Sequence, residues 1–143
     1  MDYNPWRDAR DNFPDYTINI RHELPAGVGG FIKGKTIYLC RTLDEDGRRC
    51  TLPHELDHIR NGTDHLFEHP NSKEERAIDI AVARRLITVD KFVDALAWSR
   101  RTAGRECAAE LRVDSHTLKV WVQSLSAHEK REIQQMLKSR GVP

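Results

Sequence analysis

The sequence predicts an α+β fold, a small antiparallel sheet followed by a helical remainder. Three observations predict it. Residues 17–40 alternate apolar and polar positions around glycine-rich turns. From residue 49 onward, apolar residues recur at spacings of three and four. Cap and stop residues divide that second part into helix-sized pieces. Strands first and helices after is the order of an α+β domain.

In chain order, Asn4-Pro5 opens a short polar helix over Trp6 to Asn12, and Pro14 stops it. Thr17 to Leu24 holds Thr-Ile-Asn-Ile, a strand by alternation, and Pro25 to Gly30 is a turn. Phe31-Ile32, Lys33-Gly34 and Thr36 to Cys40 read as a hairpin, with Lys35 to Cys40 either an edge strand open to a pairing chain or a two-sided strand that closes the core. Leu43 to Gly47 is expected as a loop. Arg49 to Arg60 carries the stripe Leu52, Leu56 and Ile59, with Pro53 tolerated only in a first turn and Asn61-Gly62 as the stop. Asp64 to Asn71 reads as a loop, Ser72 to Ile87 as a second helix, and Thr88 as the cap of a third. Cys107 to Leu111 and Ser115 to Leu125 are two short helices, and Ser126 with Glu129 forms a capping box before the last.

The 143 residues fit a single domain, 1–143, in which 1–100 form the core and 101–143 a helical tail. Lysine and arginine total 23 against 22 acids, a net charge of +1, which argues against a basic nucleic-acid coat and makes direct nucleic-acid binding unexpected. Cys40, Cys50 and Cys107 are odd in number and lack a C-x-x-C spacing, so they read as small buried hydrophobes rather than a disulfide framework. No signal-type run and no stretch near the ~20 apolar residues of a membrane span occurs, so the expected place is the cytoplasm. Trp6, Trp98 and Trp121 are read as core or interface anchors. The unusual count is histidine: four of seven, His54, His58, His65 and His69, fall within sixteen residues.

Residues 54–58 read His-Glu-Leu-Asp-His. On a helix, His54 and His58 are four apart and share a face, close enough to hold one metal ion. Glu55 lies about 100° round the helix, at the edge of that face. There it can contact a water beside the ion, take its proton and return it to a leaving amine. This is the H-E-x-x-H arrangement of zinc metallopeptidases. A catalytic zinc keeps three protein ligands and an open position. Glu75 is the leading third ligand, and Asp79, one turn on, is placed to orient a ligating histidine. The alternatives are Glu74, Asp64 and His65. Ser72 to Glu75 also fits a capping box, in which Glu75 would only satisfy a helix start. Tyr38, His65 and His69 are candidates for stabilising a tetrahedral oxyanion.

With these motifs the sequence resembles the ImmA/IrrE family of metallopeptidases over about residues 16–125. The family's Thr-Leu-Ala-His-Glu-Leu-Gly-His segment corresponds to Thr51-Leu52-Pro53-His54-Glu55-Leu56-Asp57-His58, and its glutamate helix to Glu74 through Ala83. Its Leu-x-x-x-x-Val-Ser turn corresponds to Ala108 through Asp114. Asp57 replaces the usual glycine, Pro53 the usual alanine, and Arg84-Arg85 an apolar pair, and the family's Met-Pro is missing. The resemblance implies a zincin-type helix between the hairpin and the helical C-terminal part. It further implies a zinc-dependent endopeptidase of phage or mobile-element type, acting on a protein substrate such as a DNA-binding repressor. Two other functions fit the sequence: a non-proteolytic anti-repressor, and a DNA-binding regulator. Residues 107–125 match a helix-turn-helix pattern, with Asp114 or Ser115 as the cap and His116, Thr117 and Lys119 toward the groove. Arg112 stands there where glycine usually turns the chain, and Arg100, Arg101 and Arg105 form a small basic patch.

Overall fold

The structure is a computed structural model that describes residues 2–63, 72–100 and 102–142. It is α+β: seven helices and one three-stranded mixed sheet among the described residues. Helix α1 (Pro5–Asn12) starts as the sequence predicts, with the Asn4 side chain accepting from the amides of Trp6 and Arg7. The strands are β1 (Thr17–Asn19), β2 (Gly30–Lys33) and β3 (Thr36–Leu39), in the spatial order β1-β3-β2.

Two sheet expectations are corrected. The sheet is mixed, because β1 pairs parallel to β3 while β2 and β3 form the hairpin. The first strand stops at Asn19, whose side chain accepts the Arg21 amide at 2.9 Å; this local turn competes with further pairing. Of the two readings of Lys35 to Cys40, the two-sided one stands, since β3 is the central strand. Its Ile37 and Leu39 are fully buried, and a strand with that demand takes the middle of the sheet. The free edges belong to β1 and β2.

Helix α2 (Glu45–Asn61) begins earlier than the apolar stripe suggests, inside the expected loop. Asp44 caps it by accepting the Gly47 amide at 2.7 Å, and Glu45 and Asp46 complement the helix dipole in the first turn. Pro53 is therefore the ninth of 17 residues, not a first-turn residue. An interior proline costs about 3 kcal/mol, since the Arg49 carbonyl loses its helical donor. The cap and the complete burial of Leu52, Pro53 and Leu56 offset that cost. Gly62 ends the helix in the left-handed region, φ 69°.

Helix α3 (Ser72–Leu86) lies against α2 and against α6 (Ser115–Gln123). Around them stand α4 (Val89–Trp98), capped by Thr88 as predicted, α5 (Arg105–Leu111) and α7 (Ala127–Ser139), opened by the reciprocal Ser126–Glu129 capping box. Two apolar clusters result. Leu52 and Leu56 pack with Ile37, Leu39 and Ala9 on the sheet side, while Cys50 joins a larger helical cluster around Trp121. Trp121 donates to the Ile87 carbonyl at 2.9 Å and is an anchor, as expected. Trp6 and Trp98 are not core residues: they are 42% and 80% exposed. All three cysteines are buried and free. Among the described residues, no helix is long and apolar enough to cross a membrane.

Asp57 and Arg85 belong to one polar ring behind α2. Asp57 and Arg85 pair across α2 and α3. Asp57 also accepts from Arg60 at 2.9 Å, Arg60 pairs with Asp8, and Asp8 accepts from the Tyr3 hydroxyl at 2.6 Å. The Arg85 guanidinium lies 5.0 Å from the Tyr3 ring centre and closes the circuit. A glycine at 57 could not anchor this ring, and an apolar residue at 85 could not complete it.

Candidate metal centre

His54 and His58 stand one turn apart on α2, and Glu75 comes from the first turn of α3. One donor atom from each lies within 4.8 Å of the others, a set that could hold a metal ion. Glu75 reaches both rings, at 2.8 Å from His54 Nε2 and 2.7 Å from His58 Nε2. It is thus turned to the histidines and not back to its helix start, as a capping box would require.

The other ring nitrogens are tied down. His54 Nδ1 is 2.9 Å from Asp79, and His58 Nδ1 is 2.9 Å from the Thr63 hydroxyl. Thr63 in turn donates to Glu74. With Nδ1–H donated on each ring, both Nε2 atoms face Glu75, where a metal ion would replace any proton they carry and take their lone pairs. This fits zinc in donor type and number: two imidazole nitrogens, one carboxylate and an open side. Bonds of about 2.0–2.1 Å to a tetrahedral ion set ligand atoms about 3.3 Å apart, so the present contacts would open by about half an ångström.

Four of the six predicted ligands, His54, His58, Glu74 and Glu75, lie among the described residues. Glu75 lies within hydrogen-bond distance of both histidines, and Asp79 within that distance of His54 Nδ1. Glu74 does not join them: its carboxylate is on Thr63 and lies 3.8 Å from the Nδ1 side of His58. Asp64, His65 and His69 fall outside the described residues, as does Arg101. Tyr38 stacks on Phe31 at 4.8 Å and does not line the cleft.

That cleft has a volume of about 540 Å³. Its walls are β2 with the turn before it, the histidine face of α2, the start of α3 and the start of α6. Glu55 faces into it while only 8% exposed, and has no hydrogen-bond partner among the described residues. Burial pushes its carboxyl up to about 7; the Glu75 charge adds to this and His54 opposes it. His54 is also buried, which works against its cation. The Asp79 bond and the charges of Glu55 and Glu75 outweigh that and raise it to about 9. Without a metal, the His54 imidazolium bonds carboxylates through both nitrogens.

Three contributors carry no spacing signal. Gly30 is required by contact: a Cβ there would meet the Tyr38 carbonyl at 2.9 Å, Thr51 at 3.0 Å and the Glu55 side chain at 3.2 Å. Its Cα lets β2 press on the helix beside Glu55. Thr63 orients His58. His116, from the helix-turn-helix-like segment, lies 3.3 Å from the second oxygen of Asp79.

That segment is folded into the protein. Asp114 caps α6 through the Thr117 amide at 2.7 Å, and Arg112 takes the left-handed turn at φ 58° without glycine. Arg49 of α2 donates to the carbonyls of Leu111 and Arg112. Of the three residues expected toward a DNA groove, Thr117 is buried, His116 bonds Asp79, and Lys119 is exposed. The chain matches no protein-family model, no curated protein and no solved structure.

Proposed function

We propose that the protein is a zinc-dependent endopeptidase of the ImmA/IrrE type, with a zincin-type α2, acting on a cytoplasmic protein such as a DNA-binding repressor. One observation carries the reading. Three groups able to hold a metal ion converge in the lining of a cleft, and a buried carboxylate without a hydrogen-bond partner among the described residues lines it beside them.

His54, His58 and Glu75 would hold the ion. Zinc supplies Lewis acidity and lowers the pKa of a bound water to about 7. Glu55, buried beside the ligand set with no other hydrogen-bond partner among the described residues, would take a proton from the attacking water and deliver it to the leaving amine. Asp79 and Thr63 keep the two imidazoles in the ligating tautomer. The free edge of β2, whose Gly30, Phe31 and Ile32 line the cleft, receives an extended substrate as an added strand. The pairing edge is then β2 and not Lys35 to Cys40, which as the central strand has no free edge.

The test is zinc loading of wild type and Glu55→Gln, then incubation with unfolded protein substrates and mass-spectrometric mapping of new termini. Both proteins should bind one zinc, and only wild type should cut. Equal cutting by Glu55→Gln, or none by zinc-loaded wild type, would defeat the reading.

A further inference from the structure

The helical tail is tied to the metal face of α2. The Asp114 amide, at the start of α6, points at Cys50 Sγ, 3.5 Å away and one turn before His54. Arg49 holds the end of α5 through two carbonyls. These contacts, with the Asp114 cap, place the second residue of α6 beside α3. That residue is His116.

We infer that His116 is a positioning residue of the metal centre, acting through Asp79 on His54. The inference rests on the proposed zinc site and adds a residue to it. A carboxylate has two oxygens and can turn about its Cβ–Cγ bond. Asp79 uses one oxygen for His54 Nδ1, at 2.9 Å, and the other for His116 Nε2, at 3.3 Å. Held from both sides, it cannot turn away, so the Nδ1–H tautomer of His54 is kept and Nε2 stays available to the ion. The tail thereby supplies the outermost link of a chain running from α6 through α3 to α2.

Loss of an outer partner of this kind typically weakens metal binding 10–100-fold. His116 is one bond further out and its side chain is 69% exposed, so the expected effect is about threefold to tenfold. Zinc dissociation constants are measured by chelator competition on the full chain, for wild type, His116→Ala and His116→Gln, alone and with Asp79→Ala. Melting temperatures of the metal-free proteins are measured alongside. His116→Ala should weaken zinc by that factor with the metal-free melting temperature nearly unchanged. His116→Gln, whose amide can still donate to Asp79, should restore most of the affinity. In the Asp79→Ala background, His116→Ala should have no further effect.

Wild-type affinity in His116→Ala would overturn the inference while leaving the zinc site standing. So would an undiminished effect in the Asp79→Ala background, or a loss that follows the melting temperature and is not rescued by glutamine. Failure of wild type to bind zinc would overturn the metal centre itself, and the role of His116 with it.

Discussion

The two polar faces of α2 differ in what completes them. The rear face carries Asp57 and Arg60, which join Asp8, Tyr3 and Arg85 in a closed ring where every charge meets an opposite charge or an aromatic face. The cleft face carries His54, Glu55 and His58, opposite Glu75 and Asp79. There two carboxylates share one imidazolium and a third stays unpaired. The rear ring needs nothing further. The front cluster has donors in excess of what protein partners satisfy, and a divalent cation is what would balance it. Buried ionisable groups left uneven are costly, so their presence on one face of a helix whose other face is fully paired points to use rather than stability.

This contrast can be broken or sharpened by experiment. The largest effect is expected at the front. His58→Ala or Glu75→Ala should weaken zinc by about two to three orders of magnitude, since four-ligand sites hold zinc with about 10–16 kcal/mol. Chelator competition measures it, and stability without metal should change far less. At the rear the pattern should invert. Asp57→Ala leaves Arg60 and Arg85 without their shared partner and should cost about 2–3 kcal/mol in urea unfolding, a figure reduced for the partial exposure of both arginines. Zinc affinity should move by less than about threefold.

The pH response of the metal-free protein sharpens the same point. Glu55 and His54 both hold protons more tightly folded than unfolded, with values near 7 and 9 against ordinary values of 4.5 and 6.5. Their protonation therefore favours the fold. That contribution is complete below about pH 4.5 for Glu55 and below about pH 6.5 for His54, and is lost as pH rises to about 7 and 9. The melting temperature should fall by a few degrees between pH 5 and pH 9, with Asp8, whose carboxyl is held below the ordinary carboxylate value, contributing little change in that window. Saturating zinc should remove most of the fall, because it takes the place of the His54 proton. A flat profile without metal would contradict the assignment of these shifts to the front face.

The smallest effect is expected at Gly30. An added methyl group must push against the Tyr38 carbonyl and the Glu55 side chain, so Gly30→Ala should cost about 1–2 kcal/mol. Cutting should suffer through displaced Glu55, with zinc content preserved. Paired calorimetry and metal analysis separate the two.

What was legible in the sequence was local. The four-residue step from His54 to His58, the Ser126–Glu129 box, the Thr88 cap and the Gly62 stop depend on groups within one helical turn, and all stand where their spacing puts them. Pro53 misled because its penalty is a local rule, while burial and the Asp44 cap act over the whole of α2. The parallel β1–β3 pairing joins residues about twenty apart, with no turn signal to announce it. At the site, Glu75 was reachable through the resemblance and the run of acids. Thr63, Gly30 and His116 were not, since each acts through a contact that depends on how whole elements pack. The link from Asp57 to Arg85 is of the same kind, since it depends on how α2 and α3 pack.

The central claim is the ligand set, and zinc-soaked crystals measured at the zinc absorption edge test it most directly. The account predicts one strong anomalous peak within about 2.0–2.2 Å of a nitrogen of His54, a nitrogen of His58 and a carboxylate oxygen of Glu75, with Glu55 outside bonding distance. A peak bound through Glu74 in place of Glu75, or no peak at saturating zinc, would contradict it.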